Sequence, residues 1–217
     1  MAALSKRLEV ALSFLKGVKG FADIGCDHGY LPIEAVKRNI VEFAIASDNK
    51  NGPYLKAKSN IELALLSDKI EVRLEEGVGS YPDSVNAISI LGMGADLIAN
   101  ILETANLENI STLVLGPNSE AKQLRYFLQN HGFMIEDEAF IKDHSHYYQI
   151  IRAVKGKMFL SLSEATFGPI NIKRKNPIMI EFVNKEIDKL QTALLAASNE
   201  SKLLIQLKIN ELREVTM

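Results

Sequence analysis

FADIGCDHGY, at residues 21–30, is an apolar run that ends in an acidic residue and a glycine turn, after which a helical pattern begins at Leu31. An apolar run, a tight turn and a helix in this order predict the first strand, turn and helix of a doubly wound α/β domain. Gly25 and Gly29 permit positive φ and a close approach of the backbone that a Cβ atom would prevent. We therefore expect a ligand to lie against this turn.

Asp27 determines which kind of ligand the turn suits. The dinucleotide-binding fingerprint requires a glycine at this position, so the form of the loop that holds a pyrophosphate is incomplete. The carboxylates of Asp23 and Asp27 repel phosphates but attract a sulfonium and an amino group. An uncharged or cationic nucleoside is compatible with these charges, and S-adenosylmethionine fits that description. Cys26 is expected to be a small packed residue beside the turn.

The segments that follow alternate between strand-like and helix-like patterns. Apolar runs at 43–47, 70–74, 87–91 and 112–115 predict further strands of a mostly parallel sheet. Residues 133–140 and 147–154 alternate well enough for an antiparallel closing pair, joined by a polar loop at 142–146. His144 and His146 in that loop lack a third ligand at suitable spacing, so no metal site is predicted.

Acidic residues follow the second and third predicted strands, at the edge where doubly wound sheets bind ligands. Asp48 suits the two hydroxyls of a ribose, although aspartate in this place is also a common helix N-cap. Glu76, which precedes Gly77, suits an adenine amino group, although paired glutamates are more often only exposed to solvent. The pattern thus predicts a nucleoside site that extends across two strand ends.

The fourth and fifth predicted strands end in turns that belong at the same edge. Gly92, Met93 and Gly94 follow the fourth strand, and the paired glycines let the backbone approach a methyl donor and an incoming base. A plain strand-to-helix turn would explain one glycine but not two. Asn118 lies just after the fifth strand, so its amide is expected beside the other turns.

Composition restricts the class of protein. The formal net charge of -2 and the pI near 6.1 show no overall signature of nucleic-acid binding. Cys26 is the only cysteine, which excludes an internal disulfide and a cysteine-rich zinc site and suits a reducing cytoplasm. The first twenty residues mix cations with apolar residues at helical spacing, unlike a signal peptide, and no stretch is apolar enough to span a membrane.

Two local clusters of cations are candidates for contact with RNA phosphates. Lys6 and Arg7 lie on an amphipathic helix predicted at 4–16, and Lys173, Arg174 and Lys175 form a basic run. A solvated helix face is the simpler explanation of the first cluster. Apolar steps of three and four beyond residue 177 predict an antiparallel helical hairpin of coiled-coil character, too short to be a strong dimeriser, so we expect a monomer or weak dimer. The predicted parts are a domain at 1–156, a linker at 157–176 and the hairpin at 177–217.

Several turn motifs, taken in order, resemble one known family. The quoted stretches are DIGCDHGYLP from Asp23, NGPYLKAK from Asn51, VRLEEG from Val72, GMG from Gly92, GPN from Gly116, LR from Leu124 and FGP from Phe167. Together they resemble the bacterial tRNA (adenine-N1) methyltransferase family, TrmK, over about residues 4–169. The resemblance implies a Rossmann-like class I methyltransferase domain with a C-terminal helical appendage. It also implies S-adenosylmethionine as cofactor and N1 of adenosine 22 in tRNA as target.

The resemblance and the residue patterns together give a set of predicted site residues. The predicted cofactor residues are Asp23, Gly25, Cys26, His28, Gly29, Asp48, Asn49, Glu76, Gly77 and Gly92, and the predicted catalytic residues are Asp27, Met93, Gly94 and Asn118. Four positions depart from the family pattern: Glu76 replaces an aspartate, Ala95 a glycine, Gly116 a glutamine and Tyr126 a tryptophan. The departures at Ala95 and Gly116 affect the expected positioning of the base more than the expected binding of the cofactor.

The reaction implied by the resemblance requires no covalent nucleophile from the protein. Neutral N1 of adenine attacks a sulfonium in line, so orientation and exclusion of water are the main tasks. The carboxylate of Asp27 or the amide oxygen of Asn118 is expected to accept a hydrogen bond from the base as it becomes cationic. Three alternatives remain: a nicotinamide-dependent oxidoreductase, an RNA-binding protein that has lost turnover, and a methyltransferase with another target.

Overall fold

The computed structural model describes residues 4–216, apart from the side chains of residues 199 and 200; residues 1–3 and 217, at the outer ends of the predicted domain and hairpin, lie outside it. The strands are β1 Gly20–Ile24, β2 Phe43–Asp48, β3 Ile70–Leu74, β4 Ala87–Leu91, β5 Thr112–Gly116, β6 Phe133–Asp143 and β7 His146–Lys155. The helices are α1 Lys6–Phe14, α2 Tyr30–Lys37, α3 Asn51–Leu63, α4 Ala95–Glu103, α5 Lys122–Asn130, α6 Leu162–Phe167, α7 Pro169–Lys173, α8 Pro177–Ala196 and α9 Asn199–Thr216.

The strands form one sheet in the order β3-β2-β1-β4-β5-β7-β6. The first five are parallel, and β7 pairs antiparallel with both β5 and β6. All residues of β1 and β5 are buried, as expected for strands that are covered by helices on both faces. The predicted doubly wound sheet with an antiparallel closing pair is therefore confirmed. The order reverses between β1 and β4, which places a crevice at the carboxyl ends of these strands.

One local prediction was wrong: the expected polar loop at 142–146 belongs mostly to the closing strands. Lys142 pairs with Tyr147 and Asp143 with His146, so only His144 and Ser145 form the turn. His144 has a φ of 54°, as tight hairpin turns require. The side chains at this tip are intermediate or exposed, so polar residues can occupy both strands without loss of burial.

Two apolar cores lie on the two faces of the sheet and a third joins the hairpin to it. The first core packs α1, α2 and α3 on one face, and the second packs α4 and α5 on the other. In the third, Phe140 of β6 and Phe167 of α6 pack with Met179 and Val183 of α8 and Ile209 of α9. The predicted helical hairpin is thus confirmed, and it shares a core with the sheet.

The segment predicted as a linker contains α6 and α7, and a buried ion pair attaches it to the sheet. The Arg125 guanidinium, on α5, and the Glu138 carboxylate, on β6, are both inaccessible to solvent and lie 2.9 Å apart. Burial lowers the pKa of Arg125, and the charge of Glu138 opposes that shift. We call this pair, with the groups that it binds, the Arg125 junction.

Backbone groups of the predicted linker complete the Arg125 junction. Arg125 donates to the carbonyl oxygens of Ala165 and Thr166 at 3.0 and 3.1 Å, and to Gln149 Oε1 at 2.7 Å. The backbone N–H groups of Ile170 and Asn171 donate to Glu138 Oε1 at 2.8 and 3.2 Å. The ion pair therefore holds the end of α6 and the start of α7 against the sheet.

Candidate active site

A cleft with a volume of about 450 Å³ opens at the carboxyl ends of β1, β2, β4 and β5. This is the crevice that the reversal in strand order predicts, and its volume falls within the range of small-molecule sites. Its lining contains many of the predicted residues together with the first turn of α1: Arg7, Leu8, Asp23, Gly25, Cys26, Asp27, His28, Tyr30, Leu31, Asp48, Asn49, Lys50, Pro53, Leu91, Gly92, Met93 and Asn118.

The turn after β1 has the backbone conformation that its glycines permit. Gly25 and Gly29 both have a φ of 71°, and Asp27 also has a positive φ of 52°. The N–H groups of Gly25 and Cys26 donate to the carbonyl of Ser47 at 2.8 and 2.9 Å, which joins this turn to the end of β2. A Cβ atom at Gly25 would overlap the methyl group of Met93 across the cleft. The positive φ is therefore what requires glycine at position 25, since the flexible end of the Met93 side chain could move away from an added Cβ.

Asp48 joins the β1 and β2 ends of the cleft. Its two carboxylate oxygens accept from the N–H groups of Lys50 at 2.9 Å and Asp27 at 3.4 Å. Lys50, not Asp48, occupies the N-cap position of α3, so the alternative N-cap role has no support. The side chain is held by backbone groups in the cleft lining, where its remaining lone pairs can accept from a ligand.

Asp23 is a buried carboxyl at the floor of the cleft. Ser89 Oγ donates to its Oδ1 at 2.5 Å. Burial raises the pKa of Asp23 to about 7, whereas the Ser89 hydrogen bond and the charge of Arg7 lower it, and the charge of Asp48 raises it. A cationic ligand group beside Asp23 would replace the lost hydration and favour the carboxylate.

The turns after β4 and β5 are hydrogen-bonded to each other. Asn118 Nδ2 donates to the Gly92 carbonyl at 2.6 Å, and the Asn118 N–H donates to the Met93 carbonyl at 2.8 Å. The N–H of Ala95, at the start of α4, donates to Ser119 Oγ at 2.9 Å. Since the Asn118 amide nitrogen is occupied in this way, its oxygen is the group that can accept from a ligand.

Asp27 and His28 lie at the mouth of the cleft and Cys26 lies in its wall. The Asp27 side chain is 71% exposed, and its carboxylate is 3.6 Å from His28 Nε2. Burial, with the charges of Asp23, Asp48 and Asp27, raises the pKa of the Cys26 thiol. Thiolate chemistry is therefore disfavoured at Cys26, as expected of a packed residue.

Some predicted site residues lie outside the cleft lining. Gly29 is the N-cap of α2, where an added Cβ would contact Ala57 at 3.3 Å, and Gly94 is the N-cap of α4. Glu76 is exposed after β3, with Gly77 beside it. The cofactor role of Gly29, Glu76 and Gly77 and the catalytic role of Gly94 stay predictions.

The predicted RNA-binding cations differ in their surroundings. Lys6 is exposed on α1, whereas its neighbour Arg7 lines the cleft. Arg174 pairs with Asp137 at 2.5 Å, and neither Lys173 nor Lys175 lines the cleft. Periodicity did not predict that Arg7 faces the cleft, because the sequence does not show which end of α1 approaches the strand ends.

Within residues 4–216, no cluster of three His, Cys, Asp or Glu side chains is placed to hold a metal ion. None of the helices in the same part of the chain is long and apolar enough to cross a membrane.

Comparison with known proteins identifies the family. The family model described as TrmK: tRNA (adenine(22)-N(1))-methyltransferase matches residues 21–215. The tRNA (adenine(22)-N(1))-methyltransferase of Bacillus subtilis is 33% identical over 198 residues, which cover 87% of this chain and 83% of that protein.

Solved structures agree over nearly the whole chain. Sp1610 of Streptococcus pneumoniae, in complex with S-adenosyl-L-methionine, is 38% identical with a TM-score of 0.90 and covers 99% of this chain and 100% of its own. M. capricolum TrmK, in complex with S-adenosyl-homocysteine, is 30% identical with a TM-score of 0.87 and covers 99% of this chain and 98% of its own. The chain described here belongs to the TrmK family of tRNA (adenine(22)-N(1))-methyltransferases.

Proposed function

We propose that this protein transfers a methyl group from S-adenosylmethionine to N1 of adenosine 22 in tRNA. Membership of the family supports the proposed reaction, and the residues that line the cleft support S-adenosylmethionine as the cofactor. The observation that carries the proposal is the pairing of two buried acids, Asp23 and Asp48, with a glycine turn at the point where strand order reverses. This arrangement suits a cationic nucleoside and opposes a pyrophosphate.

The cleft residues fit S-adenosylmethionine by the chemistry of their donors and acceptors. The bound cofactor would supply an electrophilic methyl group on a sulfonium. Asp48 has lone pairs for the ribose hydroxyls, and the Asp23 carboxylate suits an ammonium group. Gly25 keeps the space above the turn free of a side chain. These residues bind and orient, and no nucleophile of the protein is required.

On the base side, we propose that Asp27 or Asn118 accepts a hydrogen bond from the N6 amino group as the adenine becomes cationic. The Asp27 carboxylate is exposed at the mouth, and the Asn118 amide oxygen is oriented by the bond from its nitrogen to Gly92. Met93 and Gly94 form the turn against which the base would lie. Asp27→Asn removes a charge but keeps the shape, so turnover should fall and its pH profile should change. Full turnover with an unchanged profile would exclude Asp27 as the acceptor.

Methyl transfer from labelled cofactor to unmodified tRNA, followed by nucleoside analysis, tests the function. The proposal expects labelled 1-methyladenosine, and a tRNA with guanosine in place of adenosine 22 is the control. Label in another nucleoside would favour a methyltransferase of a different target. Tight binding of S-adenosylmethionine without label in any RNA would favour an inactive RNA-binding protein. Binding of NAD in place of S-adenosylmethionine would favour an oxidoreductase.

We propose that tRNA contacts Lys6, Arg7 and the basic run Lys173, Arg174 and Lys175, as the sequence predicts. Phosphate contacts of this kind contribute affinity that falls with added salt. Charge reversal of the basic run should therefore weaken tRNA binding but leave the binding of S-adenosylmethionine unchanged. Because Arg174 already pairs with Asp137, reversal of Arg174 alone should weaken tRNA binding less than reversal of Lys173 alone. Equal tRNA affinity after reversal of all three would exclude this surface.

The proposal also covers the compartment, the oligomeric state and the domain boundaries of the protein. A tRNA substrate suits the cytoplasm, and a short hairpin suits a monomer or weak dimer. The division into a methyltransferase domain at 1–156, a connecting segment at 157–176 and a hairpin at 177–217 is part of the same proposal. Sedimentation across a range of protein concentrations tests the oligomeric state.

A further inference from the structure

Residues 75–81 form a loop directly after β3, at the same edge of the sheet as the cleft. Leu74, the last residue of β3, pairs with Asp48, and the N–H of Glu75 donates to the Asp48 carbonyl at 3.1 Å. The loop is thus attached to the residue that suits the ribose hydroxyls. Glu76, which is predicted to accept from an adenine amino group, is the exposed second residue of this loop.

The hydroxyl of Tyr81 joins the two ends of the loop. It donates to Glu75 Oε1 at 3.1 Å and accepts from the N–H of Gly79 at 3.1 Å. The Glu75 side chain is folded over Gly79, where an added Cβ atom would overlap the carboxylate. Burial raises the pKa of Tyr81 to about 12, so the hydroxyl is protonated at neutral pH and can donate. The bond that closes the loop is therefore present at neutral pH.

Arg73, on β3, holds the aromatic ring of Tyr81. Its guanidinium carbon is 5.3 Å from the centre of the ring, and its Nη1 donates to the Ser80 carbonyl at 2.9 Å. Glu71 accepts from Nε and Nη2 of Arg73 at 2.8 and 3.0 Å, which orients the guanidinium. The ring and the hydroxyl of Tyr81 are thus held by separate contacts.

Tyr81 does not line the cleft, so any effect on the cofactor must pass through the loop that it closes. We infer that Tyr81 is a positioning residue: through Glu75 it sets the position of Glu76, and thereby the preference for a base with an amino group over one with a carbonyl oxygen. A carboxylate suits this choice because it accepts from an amino group and repels a carbonyl oxygen. The inference rests on the proposed function, since it assumes an adenosine cofactor.

Glu75 is the other acid of the loop that could accept from an amino group. However, its Oε1 already accepts from Tyr81, and its carboxylate lies over Gly79. The side chain of Glu75 is half-buried, whereas Glu76 is exposed at the same edge of the sheet. The geometry therefore favours Glu76 as the acceptor and Glu75 as the residue that Tyr81 holds.

Binding of two cofactor analogues tests the inference without any methyl transfer. S-adenosylhomocysteine carries the amino group, and S-inosylhomocysteine has a carbonyl oxygen in its place, so the unmodified protein should prefer the first. Tyr81→Phe keeps the ring but removes the hydroxyl. It should weaken binding of S-adenosylhomocysteine about twofold to tenfold, the range for one lost hydrogen bond, and leave the affinity for S-inosylhomocysteine unchanged.

Variants of Glu75 show whether Tyr81 acts through this residue. Glu75→Gln keeps an oxygen that can accept from the Tyr81 hydroxyl, so it should keep most of the preference between the analogues. Glu75→Ala should lose as much of the preference as Tyr81→Phe does. The double variant of Glu75→Ala and Tyr81→Phe should lose no more than either single variant, because both remove the same bond.

Tyr147→Phe is the matched control. The Tyr147 hydroxyl also donates to a carboxylate, that of Glu181 at 3.0 Å, but neither residue lines the cleft or belongs to the loop. This variant should leave the affinity for both analogues unchanged. Circular dichroism and thermal unfolding show whether each variant is folded.

The outcomes separate the inference from the proposed function. Equal losses for both analogues in Tyr81→Phe would overturn the inference in favour of a purely structural role, and an unchanged preference in this variant would overturn it as well. A preference lost in Glu75→Ala but kept in Tyr81→Phe would make Glu75 the acceptor, against the inference. If the unmodified protein binds neither analogue, the proposed cofactor itself fails, whatever the variants do.

Discussion

Replacement of Arg125 by methionine should be among the most destabilising single changes in this protein. Methionine fills a similar space but leaves the Glu138 carboxylate in a site with no solvent exposure and no cationic partner. Glu138 would keep the two N–H donors from Ile170 and Asn171. The carbonyl groups of Ala165 and Thr166, at the end of α6, would lose their donor.

The size of the effect follows from this geometry. Removal of one partner of a buried ion pair costs about 3–5 kcal/mol of unfolding free energy, because the other charge is left uncompensated. For a chain of this length, each kcal/mol lowers the midpoint of thermal unfolding by about 2–4 °C, so the midpoint should fall by about 6–20 °C. A typical domain is stable by only about 5–15 kcal/mol, so Arg125→Met should lie close to the limit of folding.

Thermal and urea unfolding of four proteins measure the effect. They are the unmodified chain, Arg125→Met, Glu138→Gln and the double variant, and the double variant should be more stable than the sum of the two single losses predicts, because it buries no charge. Arg38→Met is the matched control, since Arg38 pairs with Glu9 and Glu34 on the surface and its loss should hardly move the midpoint. If Arg125→Met costs less than about 1 kcal/mol, the buried pair does not stabilise the fold as argued.

Two more predictions concern single buried positions. The pKa of Asp23 is raised to about 7 without a ligand, and only its ionised carboxylate attracts an ammonium group. The affinity for S-adenosylhomocysteine should therefore rise between about pH 5.5 and pH 7.5 and then level off. Calorimetry of Asp23→Asn should show weaker binding without this rise; a rise that persists in this variant would exclude Asp23 as its cause. Gly168→Ala should lower the unfolding midpoint more than Gly17→Ala: both glycines have positive φ, but a Cβ at Gly168 would overlap the Glu138 carboxylate, whereas one at Gly17 would meet no atom within 4 Å.

The sequence predicted the cleft well because strand ends and turns have local signatures. The glycines at 25 and 29 indicated a turn, and the apolar runs before Asp48 and Asn118 indicated buried parallel strands. In a doubly wound sheet these local features are enough to place distant residues at one edge. The same logic led to the helical hairpin, whose apolar steps of three and four match the buried positions of α8 and α9.

The Arg125 junction was not predicted, because each of its residues resembles a surface residue in the sequence. Arg125 lies on an amphipathic helix where a charged residue normally faces solvent, and Glu138 lies on a strand with alternating polar residues. Only the pairing of the two, across different elements, makes their burial possible. The position of Arg7 in the cleft lining was not predicted for a related reason. Helical periodicity indicates which face of α1 is buried, but it does not indicate which other elements lie beside the first turn of the helix.

The shared core and the Arg125 junction restrict the movement of the helical hairpin relative to the sheet. The hairpin begins at Pro177, shortly after α7, and its first turns pack in the same core as Phe140 of the sheet. A hairpin held in this way has little freedom to hinge, so the separation between its surface and the cleft is fixed before any substrate arrives. Under the proposed function, the hairpin and the cleft keep the same separation when tRNA binds. The tRNA must then change its own conformation to bring the target base into the cleft.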